Sequence, residues 1–132
     1  MKVLGAFALA TGAVVSATTF AGVDAYQCTT KQSYGLNNSG TLTTDSPESA
    51  YIGRRFAVDR NTGRIVADHE MDNGGPFAEV KVVDQGAEHF AFKVVTTKDR
   101  LVQVLVIGEH RPGKIKPFVF SDLTIILTGI CE

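Results

Sequence analysis

A chain of 132 residues, 44% of them hydrophobic and 20% charged, has room for one small domain. Its formal net charge of −1 excludes the basic surface on which phosphate-backbone binding depends. The same balance gives no electrostatic basis for holding the chain to an anionic membrane surface.

The chain opens on Met1-Lys2, a short basic start, and then carries no charge from Val3 to Gly22. Val23-Asp24-Ala25 follows, with Val at −3 and Ala at −1 of a cut before Tyr26. This order of charge, apolar run and small residues predicts a cleavable secretory signal over residues 1–25 and a single domain over 26–132. Val15-Ser16-Ala17 is a second candidate for the cut. A retained anchor is the rival, but a spanning helix needs roughly 20 predominantly apolar residues, and Gly, Ser and Thr dilute this stretch. Cys28 stands beyond Tyr26 and Gln27, not directly after the small residues, which argues against a lipid anchor.

Beyond the signal, hydrophobic spacing runs mostly at period two and predicts strands. Tyr26 to Gln32 reads as a first strand, with Tyr26, Cys28 and Thr30 on one face. Residues 33–50 are rich in Ser, Thr, Asn and Gly and read as a loop or short edge strand. Arg55–Asp59 and Arg64–Asp68 flank Arg60-Asn61-Thr62-Gly63, predicting a hairpin in which Asp59 and Thr62 bond turn amides and Gly63 supplies a positive φ. Further strands are expected around Val80 and Val82, over Phe90, Phe92 and Val94, and over Leu101 to Ile107. The last of these is apolar on both faces, so a central strand covered on both sides is expected. Ile115 to Phe120 follows, with Pro117 pointing to an edge or a bulge. Leu123 to Cys131 closes the chain, and Cys131 shares parity with Leu123, Ile125 and Leu127.

The expected fold is therefore all-β: an antiparallel meander of seven or eight strands forming a small sandwich or barrel. Cys28 and Cys131, the two cysteines, are expected to form one disulfide, because an even count in an exported chain favours pairing. A first strand lying beside the last would bring them within reach.

Several motifs invite chemistry and weaken on inspection. Asp59-Arg60-Asn61-Thr62-Gly63 places oxygen ligands at alternate positions, but its Gly falls one residue early for an EF-hand loop. Asp68-His69-Glu70 offers three ligand types in a row, yet neighbouring strand residues point to opposite faces. The mature serines (Ser33, Ser39, Ser46, Ser49, Ser121) occupy no nucleophile elbow. Glu79, Glu88 and Glu109 are carboxylates whose spacing does not argue that they meet. Arg54, Arg55, Arg60 and Arg64 make a modest basic patch around the hairpin. No catalytic residue, metal site or cofactor is assigned.

The string Phe56 to Val66, the Lys-Pro-Phe-Val-Phe segment at Lys116–Phe120 and the C-terminal Thr128-Gly129-Ile130-Cys131 together resemble small exported bacterial β-rich proteins of unassigned function. The resemblance implies export, an all-β fold and a structural cysteine, and it transfers no activity. At the level of architecture alone the layout is also similar to periplasmic lysozyme inhibitors.

The expected function is a non-enzymatic binding or interaction module in the periplasm or outside the cell. Its partner would be another exported protein, and inhibition of a hydrolase is one concrete form. The alternative is a β-barrel holding a small apolar ligand among Phe90, Phe92, Phe118 and Phe120. A hydrolase with no recognisable motif stands third. Nucleic acid and a stable membrane anchor after cleavage are not expected partners.

Overall fold

The computed structural model describes residues 24–44, 50–86 and 90–132. Most of the expected signal segment, with Ser46, Ser49, Glu88 and His89, lies outside them. The chain is all-β. Its strands are β1 (Ala25–Leu36), β2 (Leu42–Thr43), β3 (Arg55–Asp59), β4 (Ile65–Ala67), β5 (Ala78–Gln85), β6 (Ala91–Lys98), β7 (Leu101–Gly108), β8 (Lys116–Ser121) and β9 (Ile125–Cys131). They form one antiparallel sheet in the order β4-β3-β1-β9-β8-β7-β6-β5, with β2 paired to β1 off this path. The sheet curls into a half-barrel. From β5 to β9 it is the expected meander, because short turns leave an antiparallel partner as the nearest place to pair. The first strand breaks that pattern by running between β3 and β9.

The join between β1 and β9 carries the disulfide. Gln27 and Glu132 exchange both backbone hydrogen bonds at 2.9 Å, so the next pair, Cys28 and Cys131, is a non-hydrogen-bonded one in which side chains stand closest. Their Cα atoms are 4.0 Å apart and the sulfurs are bonded. Further along, the register slips between Thr30 and Gln32. Opposite this bulge lies Gly129, where a Cβ would collide with the carbonyl oxygen of Thr29 and the ring of Phe118. The glycine of the Thr-Gly-x-Cys segment is thus the residue that lets a bulged β1 and a phenyl ring approach the β9 backbone.

The hairpin between β3 and β4 has the turn chemistry its sequence predicts. Asp59 accepts from the Asn61 and Thr62 amides at 2.8 and 3.0 Å, and Thr62 Oγ1 accepts from the Arg64 amide at 3.3 Å. Gly63 takes φ +75°, and a Cβ there would stand 3.0 Å from methyls of Val82 and Val94. The turn therefore packs against β5 and β6, the far end of the sheet order, and closes the curl without a backbone ladder.

Inside the curl, Phe92, Phe118, Val58, Val94, Leu105, Ile107 and Leu127 are fully buried, and Phe56 meets Phe118 edge-on at 5.1 Å between centroids. Two expectations fail here for one physical reason, the single curved layer. β7 is central, but its outer face is open and Val102 is 52% exposed, because among the described residues no second sheet or helix covers the half-barrel from outside. β8 lies between β7 and β9 and is not an edge; Pro117, which has no N–H to give, sits just beyond Phe118, where the β7 ladder stops.

Candidate functional site

Strand directions bring β1's start, β9's finish, the 60–63 turn and the segment linking β7 to β8 to one end of the half-barrel. A cleft of about 280 Å³ opens there between Tyr26, Arg60, Glu109, Lys114, Lys116 and Glu132, with Asp24 and Ala25 at its edge. Glu109 is its hub. Tyr26 donates its phenolic hydrogen to Glu109 Oε1, Lys116 Nζ lies 3.4 Å from Oε2, and the Arg60 guanidinium reaches Oε1 at 4.0 Å. Arg60 also lies over the Tyr26 ring, 4.8 Å from its centroid, in a cation–π contact. Burial and the bond to Glu109 push the Tyr26 phenol well above its ordinary pKa. It is therefore a fixed donor and not a base near neutral pH.

Arg60 has one further partner. Its Nη1 is 3.5 Å from Asp24 Oδ1, and its backbone amide donates to the Asp24 carbonyl at 2.9 Å. Lys116 likewise spends one hydrogen on the Arg111 carbonyl at 2.7 Å.

Beside the cleft, the Phe90 ring stacks on His110, with centroids 4.3 Å apart and planes 5° from parallel. Phe90 is 70% exposed. It does not share the buried face of Phe92 and Val94 as the alternation predicts, because β6 begins only at Ala91 and Phe90 belongs to the preceding turn. Phe92, Phe118 and Phe120 are core residues. Near Phe120, at the other end, a void of about 10 Å³ between Met71 and Gln103 holds one water at most.

The other residues singled out from the sequence are dispersed. Arg54 pairs with Asp68 at 2.8 Å and Arg64 with Asp72 at 2.9 Å, so the arginines near the hairpin do not act as one patch. Burial would raise the Asp72 carboxyl, but hydrogen bonds from Arg64 and the amides of Gly74 and Ala67 outweigh it and hold the pKa low. Ser33 is buried in β1, and Ser39 bonds Asn37 at 2.7 Å in an exposed turn. Glu79, near the start of β5, stands at the opposite end of the sheet from Glu109. Glu70 lends its backbone carbonyl to Gln103 at 3.3 Å.

The His69 side chain is only 6% exposed, with both ring nitrogens unpaired, edge-on to Tyr51, while Asp68 Oδ1 stays 3.9 Å away. Desolvation lowers its pKa below 6.5 despite Asp68, so the fold holds the ring neutral. The unfolded chain takes up the proton first as pH falls, and stability present above about 6.5 declines below it. Urea midpoints measured from pH 7.5 to 5 should fall in the parent and fall less in His69→Phe; parallel profiles would exclude His69 as the cause.

The cleft was not legible as a motif, since its residues are scattered along the chain. A signal existed in the cysteines. Once Cys28 opposes Cys131, Tyr26 and Lys116 are bound to share an end with Glu132. No family model matches this chain, and no similar protein emerges among curated sequences or solved structures.

Proposed function

We propose that this chain is a non-enzymatic interaction module that works outside the cytoplasm, engaging another exported protein through the charged end of its half-barrel. Export rests on the signal-like first 25 residues, and a disulfide is compatible with an oxidising compartment. The observation that carries the interaction reading is the exposed Phe90–His110 stack beside the cleft. A flat, exposed aromatic surface rimmed by charge is the composition from which interface hot spots are built. Inhibition of a hydrolase is one form such an interaction can take.

The apolar-ligand alternative draws less support. Phe92 and Phe118 fill the interior instead of lining a chamber, and Phe90 faces solvent. A catalytic reading also draws less, because Glu109 is already engaged by Tyr26 and Lys116.

The test places a photo-crosslinking benzoyl-phenylalanine at position 90 and, in a control, at Phe77, which is the more exposed of the two (85%) but lies at the opposite end. Expressed in its own host, the protein should give a discrete adduct from position 90 only, lost when His110→Ala removes the stack. Equal labelling from both positions, or none from position 90, would sink the reading.

A further inference from the structure

We infer that cutting the chain between Ala25 and Tyr26 turns the charged cleft into a binding site for a carboxylate. The inference rests on the export reading and identifies what that end recognises: an acidic side chain of the partner.

Before the cut, the cleft neutralises itself. Its cations are Arg60, Lys114 and Lys116, and its carboxylates are Asp24, Glu109 and Glu132. Glu109 is committed to Tyr26 and Lys116. Asp24 differs, because its side chain is 66% exposed and its carboxylate lies at the longer distance of 3.5 Å from Arg60 Nη1. It occupies the position that an incoming carboxylate would take, and it lies on the amino-terminal side of the expected cut.

Removing residues 1–25 frees the Arg60 amide from the Asp24 carbonyl and ends the Ala25–Asp59 pairing, and it has two effects on the charge of the cleft. It deletes the Asp24 carboxylate, leaving Arg60 Nη1 with an open face. It also creates an ammonium group on Tyr26, which already lines the cleft. The cleft thus loses one carboxylate and gains one ammonium. The Tyr26 ring and Glu109, both retained after the cut, still contact the Arg60 guanidinium, so little ordering is needed when a ligand arrives. A planar guanidinium with one free edge is suited to a carboxylate.

The test compares two purified, disulfide-bonded proteins, one starting at Tyr26 and one starting at Gly22, titrated with glutarate as a mimic of an acidic side chain and followed by ¹H–¹⁵N spectra. The Tyr26 form should bind roughly tenfold or more tightly, as expected when a neighbouring carboxylate is exchanged for an ammonium, with shifts centred on the Arg60 and Glu109 amides. In the longer form, Asp24→Asn should recover part of the difference. In the Tyr26 form, Lys114→Gln should weaken binding by about two- to fivefold, the scale of one exposed charge. Equal affinity in the two forms, or shifts away from the cleft, would overturn the inference. So would an intact mass from the host showing that Asp24 is retained. Cross-linking at position 90 does not depend on glutarate, so the interaction reading and this inference can fail separately.

Discussion

Replacing both Cys28 and Cys131 with serine should lower the stability of this protein by about 4–5 kcal/mol, the loop-closure contribution of a bridge spanning some hundred residues. The bond joins residues 103 apart, and its place in the sheet order makes its removal consequential. On one side lie β4, β3 and β1, and on the other the five-strand meander from β9 to β5. The bridge ties the two groups at the strand pair where they meet. Both cysteines are almost wholly buried, so the serines would also leave hydroxyl groups facing the core. With a urea slope of about 1–3 kcal/mol/M for small proteins, the midpoint should drop by roughly 1.3–5 M. A loss below about 1 kcal/mol would mean that the oxidised unfolded chain is already compact enough for the tether to constrain little.

Asn73→Ala should cost about 3–5 kcal/mol, although Asn73 belongs to no strand, since each buried polar group left unpaired costs about 1–3 kcal/mol. Its side chain is 1% exposed and uses both ends of the amide. Oδ1 accepts from the Ile65 amide at 2.6 Å and from Arg64 Nη1 at 3.2 Å; Nδ2 donates to the Gly63 carbonyl at 2.9 Å and to Thr96 Oγ1 at 3.0 Å. Gly63 and Ile65 belong to the hairpin at one end of the sheet order, and Thr96 lies on β6 near the other end. One amide therefore clamps the seam that the backbone ladders leave open. Truncation orphans a buried N–H, a buried C=O and a buried hydroxyl together. Thr96→Val, which removes only one of these partners, should cost roughly 1 kcal/mol. Urea unfolding of both variants checks the ranking, and an Asn73→Ala loss no larger than that of Thr96→Val would show that water replaces the clamp.

Local patterning made much of this fold legible in advance. Alternation around Val80 and Val82 and from Phe92 to Val94, and the turn chemistry of Asp59, Thr62 and Gly63, act over a few residues, and their physics is complete within that span. The disulfide was expected from the even cysteine count, and the parity of Cys131 with Leu123, Ile125 and Leu127 turned its side chain toward the core. Phe90 was misplaced because alternation alone does not say where a strand begins, and its ring turned outward once β6 started one residue later. The double-sided apolar run of β7 was expected to be covered on both faces. Side-chain character reports what a face would prefer, not whether another layer exists to meet it.

The sequence by itself determined the all-β class, the first hairpin, the later meander and the cysteine pair. These depend on backbone preference, period-two burial and turn residues, all of them short-range. Only the tertiary structure decided that β1 lies between β3 and β9, that Asn73 clamps the seam, and that Tyr26, Arg60, Glu109 and Lys116 share a cleft. The reason is distance along the chain. Tyr26 and Glu109 are separated by 83 residues, and no local preference of either specifies the other; the curl of the whole sheet and the register at the disulfide bring them together.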